Sequence, residues 1–305
     1  MNKFIFFVLI IVFFIKTGNV FSNSNLFNVD NITVINKKIE KREEILNTAF
    51  KKGFKELINR ILLTKDIKNI ENISLNEIKK LISSYQIIEN QSLLNSNEFK
   101  VNISFSRKMI NEFFYLKNIS YADTYKTDVV IFPILIDNNN FYLFSENFFY
   151  NNWISKEKKN NQFINYILPE ENIEDIALIN KNINNLENLD VKLLLMDYDI
   201  KNYIFLIMKP DIKKINIYIK GNISDYEVVK NTYIDMEYSE KELNYNKIIN
   251  ETKLTISEIW KAQNLIDVRT PSFLNIILDI NKEKDLQNLQ AVLNKIDLIE
   301  SFYVL

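Results

Sequence analysis

The sequence predicts an α+β protein with two domains of mixed or antiparallel sheets, helices packed on one face, and a cleaved signal peptide in front. Three observations predict it. Short segments of alternating apolar and polar residues are interspersed with amphipathic helices along the chain. The 305 residues exceed the usual size of one domain, ~150 residues. An apolar run of 12 residues, Phe4 to Ile15, has the length of a secretory signal.

The composition excludes several classes of enzyme. The chain has no His and no Cys, so a Ser-His-Asp triad, a zinc site and an iron–sulfur site are ruled out. Three scattered glycines, Gly18, Gly53 and Gly221, cannot form a phosphate-binding loop. We therefore predict a protein that is not an enzyme and that has no cofactor and no metal.

Residues 1–22 are predicted to be a signal peptide. Lys3 supplies the positive start, and Val20 and Ser22 suit the −3 and −1 positions of a cleavage site. We expect export to the periplasm, with stability that comes from packed cores because disulfides are excluded. The alternative is an inner-membrane anchor formed by residues 4–15, and membrane contact is expected only in that case.

The net charge also limits the partners. Loss of Lys3 and Lys16 with the signal peptide changes the formal charge from −1 to −3. A chain without a basic excess is not expected to bind nucleic acid.

Residues 23–118 are predicted to form an N-terminal α+β domain. The period of the apolar residues predicts a strand near 31–36, a helix over 40–63, a strand through Tyr85 to Ile88, a strand over 99–105 and a helix over 107–117. A further helix begins at Ser74, because Ser74 and Glu77 have the spacing of a capping box.

Residues 119–305 are predicted to form a C-terminal α+β domain behind a polar linker, 118–127. A continuous apolar strand over 128–136 turns at 138–140 into a partner strand over 141–145 and a helix that ends at Trp153. The remaining predictions are helices over 173–186 and 239–262, strands over 191–197, 203–209, 213–220 and 231–238, and a final β-α-β unit over 273–280, 283–295 and 298–304.

The strand Val130-Ile131-Phe132-Pro133-Ile134-Leu135 and the aromatic segment that follows it resemble one family. It is the group of exported Gram-negative proteins catalogued as domain of unknown function 2066. The spacing of Ala49, Phe54 and Leu57, Tyr85 and the strand over 101–105 are similar to the same family. Phe144 and Phe149 stand where Trp is expected, and Phe148 where Pro is expected. The resemblance covers roughly 29–210; it implies export and an envelope setting and supplies no activity.

The densest aromatic stretch of the chain, Phe141 to Trp153, is the candidate binding segment. Aromatic side chains anchor interfaces. We predict that four of them bind a partner, an envelope protein or peptide: Phe144, Phe149, Tyr150 and Trp153. The alternative is that they form core between the two domains. Pro133 predicts an edge or a bulge in its strand, and an exposed edge accepts a strand from a partner.

Carboxylates are the remaining candidates for chemistry. Asp197 and Asp199 lie two apart at the predicted end of a strand, where they would point the same way and act as a glycosidase pair or metal ligands. The alternative is that they cap a turn. Glu170, Glu171, Glu174 and Asp175 precede a helix, where acids complement its dipole. We predict an exported, non-catalytic binding or assembly module of the cell envelope; the alternative is a carboxylate-dependent hydrolase of envelope glycans.

Cleavage after Ser22 is the first testable prediction. The apolar run is shorter than the ~20 residues of a membrane span, so signal peptidase is expected to release the chain. N-terminal sequencing of the exported protein should begin at Asn23. Intact Met1 in the membrane fraction would contradict it.

Overall fold

A computed structural model describes residues 26–35, 42–70, 72–88, 98–123, 127–154, 164–236, 241–266 and 283–295. It confirms the α+β class: these residues form a three-stranded, a six-stranded and a two-stranded sheet together with helices. The predicted signal peptide and the predicted strands 273–280 and 298–304 lie outside the described residues. No described helix is both long and apolar enough to cross a membrane.

The three-stranded sheet is antiparallel. Its strands are β1 (Asn28–Ile35), β2 (Ile82–Ile88) and β3 (Glu98–Phe105), in the order β1-β3-β2. Helices α1 (Arg42–Ile61), α2 (Thr64–Ile67), α3 (Leu75–Leu81) and α4 (Arg107–Lys117) accompany it. Apolar residues of β1 and β3 and the apolar stripes of the helices share one core, as the alternating strand predicts.

The capping box predicted at Ser74 and Glu77 is confirmed. The Ser74 hydroxyl accepts from the Glu77 N–H, and the Glu77 carboxylate accepts from the Ser74 N–H, which completes the capping box. Gly53 of α1 lies against the sheet: an added Cβ would be 2.7 Å from Ile32 Cδ1 and 2.8 Å from Ile103 Cδ1. The helix therefore approaches β1 and β3 closely because this position has no side chain.

The six-stranded sheet is mixed. Its order is β10-β9-β8-β5-β6, with β7 also pairing β5. The strands are β5 (Thr127–Asp137), β6 (Asn140–Tyr142), β7 (Ile164–Ile167), β8 (Tyr203–Pro210), β9 (Lys214–Ile223) and β10 (Tyr226–Asp235). Strand β5 runs parallel to β7 and β8, and the other pairs are antiparallel. The central strand predicted over 128–136 is thus confirmed.

Both faces of β5 and β8 are covered. On one face lie α5 (Phe148–Trp153) and α7 (Lys241–Gln263), in the same core as the three-stranded sheet. On the other lie α6 (Ile173–Lys181) and the 3-10 helices Ile183–Asn188 and Val191–Leu195. Helix α8 (Glu283–Leu293) follows α7 in the sequence. The near-continuous apolar sequence of β5 and β8 is that of strands buried on both faces.

Two predicted elements are wrong. The strand predicted over 191–197 is the 3-10 helix Val191–Leu195, whose start is capped by the Asp190 carboxylate, which accepts from the Lys192 N–H. The polar linker predicted over 118–127 contains a short strand, β4 (Tyr121–Ala122), which is fully buried and pairs with β11 (Leu265–Ile266). Because the residues on either side of β4 are mostly polar, the sequence does not indicate that Tyr121 and Ala122 are buried.

A buried lysine joins α7 to the end of α1. The Lys261 Nζ donates to the carbonyl oxygens of Asn59 at 2.8 Å and Leu62 at 2.9 Å, and to Glu258 Oε1 at 3.0 Å. These carbonyls belong to the last turn of α1, where a cation is favourable. Glu258 Oε2 accepts from the Thr64 N–H at 2.9 Å. These bonds connect the predicted N-terminal domain to the predicted C-terminal domain. The boundary between the two domains at 118/119 stays a prediction.

Burial opposes ionisation of the Glu258 carboxyl, but hydrogen bonds outweigh it. Donation from the Thr64 N–H and from the Lys261 ammonium lowers the pKa of Glu258 below its ordinary value. A depressed pKa in the folded protein means that this carboxylate contributes stability above the unfolded-state pKa. That contribution is lost as the pH falls through the folded-state pKa.

The surroundings of Gly53 and Gly221 predict different losses of stability when each glycine is replaced by alanine. In Gly221→Ala the new Cβ would lie 2.7 Å from the Tyr203 carbonyl oxygen, and that backbone cannot move without disturbing the β8–β9 ladder. We expect a loss of about 1–3 kcal/mol of unfolding free energy. In Gly53→Ala only the terminal methyl groups of two isoleucines obstruct, and alanine gains about 1 kcal/mol of helix propensity. Gly53→Ala should therefore cost less.

Urea denaturation of both variants measures the difference. An equal or larger loss for Gly53→Ala would show that the approach of α1 to the sheet is less adaptable than these contacts indicate.

Candidate functional site

Three of the four predicted binding residues are buried. The exposed fractions are 5% for Phe144, 0% for Phe149 and 0% for Trp153. The Phe149 ring packs against Tyr245 of α7 with centroids 4.8 Å apart, and Trp153 meets Tyr166 edge-on at 5.7 Å. These residues therefore occupy the core, which is the alternative stated above, and in this conformation they present no surface to a partner.

The fourth predicted residue, Tyr150, is half-buried. Its hydroxyl donates to the Pro169 carbonyl oxygen at 2.6 Å, and burial raises the pKa of Tyr150. It lines a hollow beside Pro133 whose volume of about 10 Å³ is room for one water molecule. Sites for organic ligands are ~300–1,000 Å³, so this hollow is too small to be one.

The hollow lies beside a gap in the pairing of β5. On one side β5 pairs continuously with β8, from Val130 to Leu135. On the other side β7 pairs only Thr127 to Val130 and β6 pairs only Leu135 to Asp137. Pro133 lies between these two short strands and has no N–H to offer to a neighbour. The edge predicted from Pro133 is present, and no described strand fills it.

A single buried side chain closes the gap. Asn147, fully buried, donates from Nδ2 to the Pro133 carbonyl oxygen at 2.8 Å. Its Oδ1 accepts from the Phe149 N–H at 2.9 Å and so caps the start of α5. The one polar group that Pro133 leaves is satisfied within the chain, and this edge is occupied rather than available.

The acidic candidates do not form a pair on a strand. Asp197 and Asp199 follow the 3-10 helix Val191–Leu195 in a turn, so the prediction that they project together from a strand end is wrong. In the part of the chain that the structure describes, no group of three or more acidic side chains is arranged to hold a metal ion. The hydrolase alternative gains no support from their placement and stays a prediction.

Asp175 is the buried member of the acidic cluster Glu170, Glu171, Glu174 and Asp175. Burial raises the pKa of the Asp175 carboxyl, the hydrogen bond from Asn172 lowers it, and the nearby Asp197 and Glu174 raise it, with a net increase. The Asn172 amide donates to Asp175 Oδ2 at 2.7 Å, and its Oδ1 accepts from the Asp175 N–H. The carboxyl thus belongs to the capped start of α6, which is the structural role expected for acids there.

The opposite edge of the same sheet is open among the described residues. Strand β10 pairs with β9 over ten residues, Tyr226 to Asp235, and no described strand pairs with its outer side. The turn between β9 and β10 consists of Ser224 and Asp225, both with positive φ (53° and 64°). The residues on either side of it, Ile223 and Tyr226, are cross-strand partners. A two-residue turn of this kind makes its flanking residues a hydrogen-bonded pair.

The hairpin decides which backbone groups face outward. Hydrogen-bonded and non-hydrogen-bonded pairs alternate along an antiparallel ladder. Counting from Tyr226, every second residue bonds to β9. The intervening residues direct their N–H and C=O groups to the open side: Glu227, Val229, Asn231, Tyr233 and Asp235.

The side chains of β10 are largely exposed. Val229 is 63% and Tyr233 62% exposed on the face away from α7, and Tyr226 is 58% exposed on the other face. The sequence prediction placed a strand only over 231–238 and missed the first half of β10. The signal available was the strand propensity of Tyr226, Val228 and Val229; the Ser-Asp turn hides the hairpin because hairpins of this type favour Asn-Gly.

Comparison of the chain with family models, curated proteins and solved structures finds no match. The resemblance to the family catalogued as domain of unknown function 2066 therefore stays a prediction.

Asn147 generates a prediction about the gap in β5. Asn147→Ala removes both a buried donor and a helix cap, so we expect a loss of about 2–4 kcal/mol of unfolding free energy. Asn147→Asp keeps the cap but places a buried carboxylate against the Pro133 carbonyl oxygen. Protonation of the introduced carboxyl restores a donor, so the folded-state pKa of this carboxyl is raised. The loss of stability of Asn147→Asp relative to the parent protein should therefore shrink as the pH falls from 7 to 4.

Thermal melts of both variants and the parent protein across that pH range measure this difference. An Asn147→Asp deficit that is independent of pH, or an Asn147→Ala variant as stable as the parent, would contradict the role of Asn147.

Proposed function

We propose that this protein is an exported, non-catalytic binding or assembly module of the cell envelope, and that it takes an extended segment of an envelope protein or peptide at the open edge of β10. One observation carries the proposal: a regular ten-residue strand with one side of its backbone unpaired by any described strand. Export is supported by the apolar run Phe4 to Ile15 behind Lys3.

An open edge of this length has a physical consequence. Its five outward residues present both N–H and C=O groups, which bind another strand by backbone hydrogen bonds. Natural proteins usually shorten, bend or cover such edges because they promote aggregation. The β10 edge keeps the length and the regular hydrogen-bonding groups that a partner strand needs.

The other described edges are shorter or irregular. Strands β6 and β7 have three and four residues. The register of β1 shifts between Val29 and Ile32, and the Asn31 N–H in that irregularity already donates to Asn102 Oδ1 at 2.8 Å. The register of β2 shifts between Ile82 and Ser84. β10 is thus the longest regular edge in the described part of the chain.

Site-specific photocrosslinking in the native envelope tests the proposal. A photoreactive residue replacing Val229 should yield an adduct with an envelope protein, whereas one replacing Leu116, which is 82% exposed on α4, should not. Adducts from neither position, or equally from both, would contradict the proposal.

A backbone block makes the test specific. Asn231→Pro removes an outward N–H but no bond to β9, so it should keep the fold and abolish the adduct; Asn231→Ala keeps the N–H and should preserve it. Thr232→Pro, which removes an inward N–H, should lower the melting temperature far more than Asn231→Pro. An adduct that survives Asn231→Pro in a folded chain would show that the partner does not use the β10 edge.

A further inference from the structure

We infer that the segment bound at β10 is a strand from a different protein and that, paired antiparallel as β9 is, it has an apolar residue opposite Asn231, an acidic residue opposite Lys230 and a basic residue opposite Glu227. The inference rests on the proposed function and specifies the chemistry of the partner. It follows from the outward backbone groups of β10 and from the order of its exposed side chains.

Pairing of β10 with a second copy of itself is disfavoured by charge. A two-fold antiparallel pair must match outward residues with outward residues, because these make the new hydrogen bonds. One register that uses almost the whole strand places Asn231 opposite itself, and then Glu227 lies opposite Asp235 of the second copy. Like charges directly opposite one another are destabilising.

The other long register is no better. It centres on Lys230, which then lies opposite Lys230 of the second copy. Registers that avoid both clashes use only seven residues, 226–232 or 229–235. Charges placed along an edge in this way are a means by which proteins prevent self-pairing. The open edge is therefore suited to a different chain.

The face away from α7 specifies an apolar partner residue. Val229 and Tyr233 are both more than 60% exposed there, with Asn231 between them. A residue opposite Asn231 is a diagonal neighbour of both, within reach of an aliphatic or aromatic side chain. An apolar residue at that position covers both exposed side chains at once.

The charged side chains specify the rest. Lys230 is exposed on the α7 side of β10, opposite Ile219 of β9, so an acidic partner residue is its nearest complement on the open side. Glu227 is exposed near the hairpin and lies opposite Asn222, so it favours a basic partner residue. Asp235 lies opposite Lys214 of β9, a cation on the same face, so no basic partner residue is specified there.

Two peptides of identical composition test this chemistry. The first, Thr-Thr-Val-Thr-Val-Glu-Thr-Thr-Lys, places its second Val opposite Asn231, its Glu opposite Lys230 and its Lys opposite Glu227. The second exchanges the Glu and the Lys. Each is labelled with a fluorophore and titrated with the mature full chain at low salt, where charge pairs count most.

The first peptide should bind, and the second should bind about tenfold more weakly because both of its charges meet like charges. Lys230→Glu should remove the preference, because each peptide then has one attractive and one repulsive charge pair, and Asn231→Pro should abolish binding of both peptides while the chain stays folded. Absence of binding by the folded parent chain overturns the inference.

The remaining outcomes separate the inference from the proposed function. Equal binding of both peptides, lost in Asn231→Pro, overturns the charge pattern but leaves strand binding at β10 intact. A dimer in sedimentation experiments that is lost in Asn231→Pro overturns the choice of a different chain as the occupant. Failure of the crosslinking experiment in the envelope would instead count against the proposed function itself.

Discussion

The parallel pairing of β5 with β8 around Pro133 is the constraint on which the larger sheet depends. Pro133 is buried near the middle of β5 and has no N–H, so a long strand could not pair with the side of β5 away from β8 without a gap. The chain instead places two short strands, β6 and β7, at the two ends of β5. The sheet is thereby closed on this side and extends on the other, through β8 and β9 to β10.

The same constraint explains why the aromatic segment Phe141 to Trp153 packs against β5. Asn147 must reach the Pro133 carbonyl oxygen, and this fixes the start of α5 against β5. Phe149 and Trp153 then point into the core shared with α7. The segment that composition alone marked as the best anchoring surface is used inside the molecule. The surface that we propose for a partner lies instead at the opposite edge, where the exposed side chains of β10 are mostly polar.

Local periodicity predicted most helices and the best strands, because the sequence of α1, α4 and β3 is one-sided in the way their burial requires. It was insufficient where burial did not follow a local pattern. The run at 191–195 is apolar throughout, which does not distinguish a strand from a helical turn. Tyr121 and Ala122 are core residues through partners distant in sequence: Tyr121 packs against Phe27, and both residues pair with β11, more than 140 residues later. The open edge of β10 depends on sheet order, which no local pattern records.

Amide hydrogen exchange measured residue by residue in the free, mature protein tests the central claim most directly. If β10 is an open edge, the outward amides of Val229, Asn231 and Tyr233 exchange rapidly, while the inward amides of Lys230 and Thr232, bonded to β9, are protected. Protection should alternate along the strand. Uniform protection from residue 226 to 235 in the free chain would show that the edge is already paired, and would contradict the account.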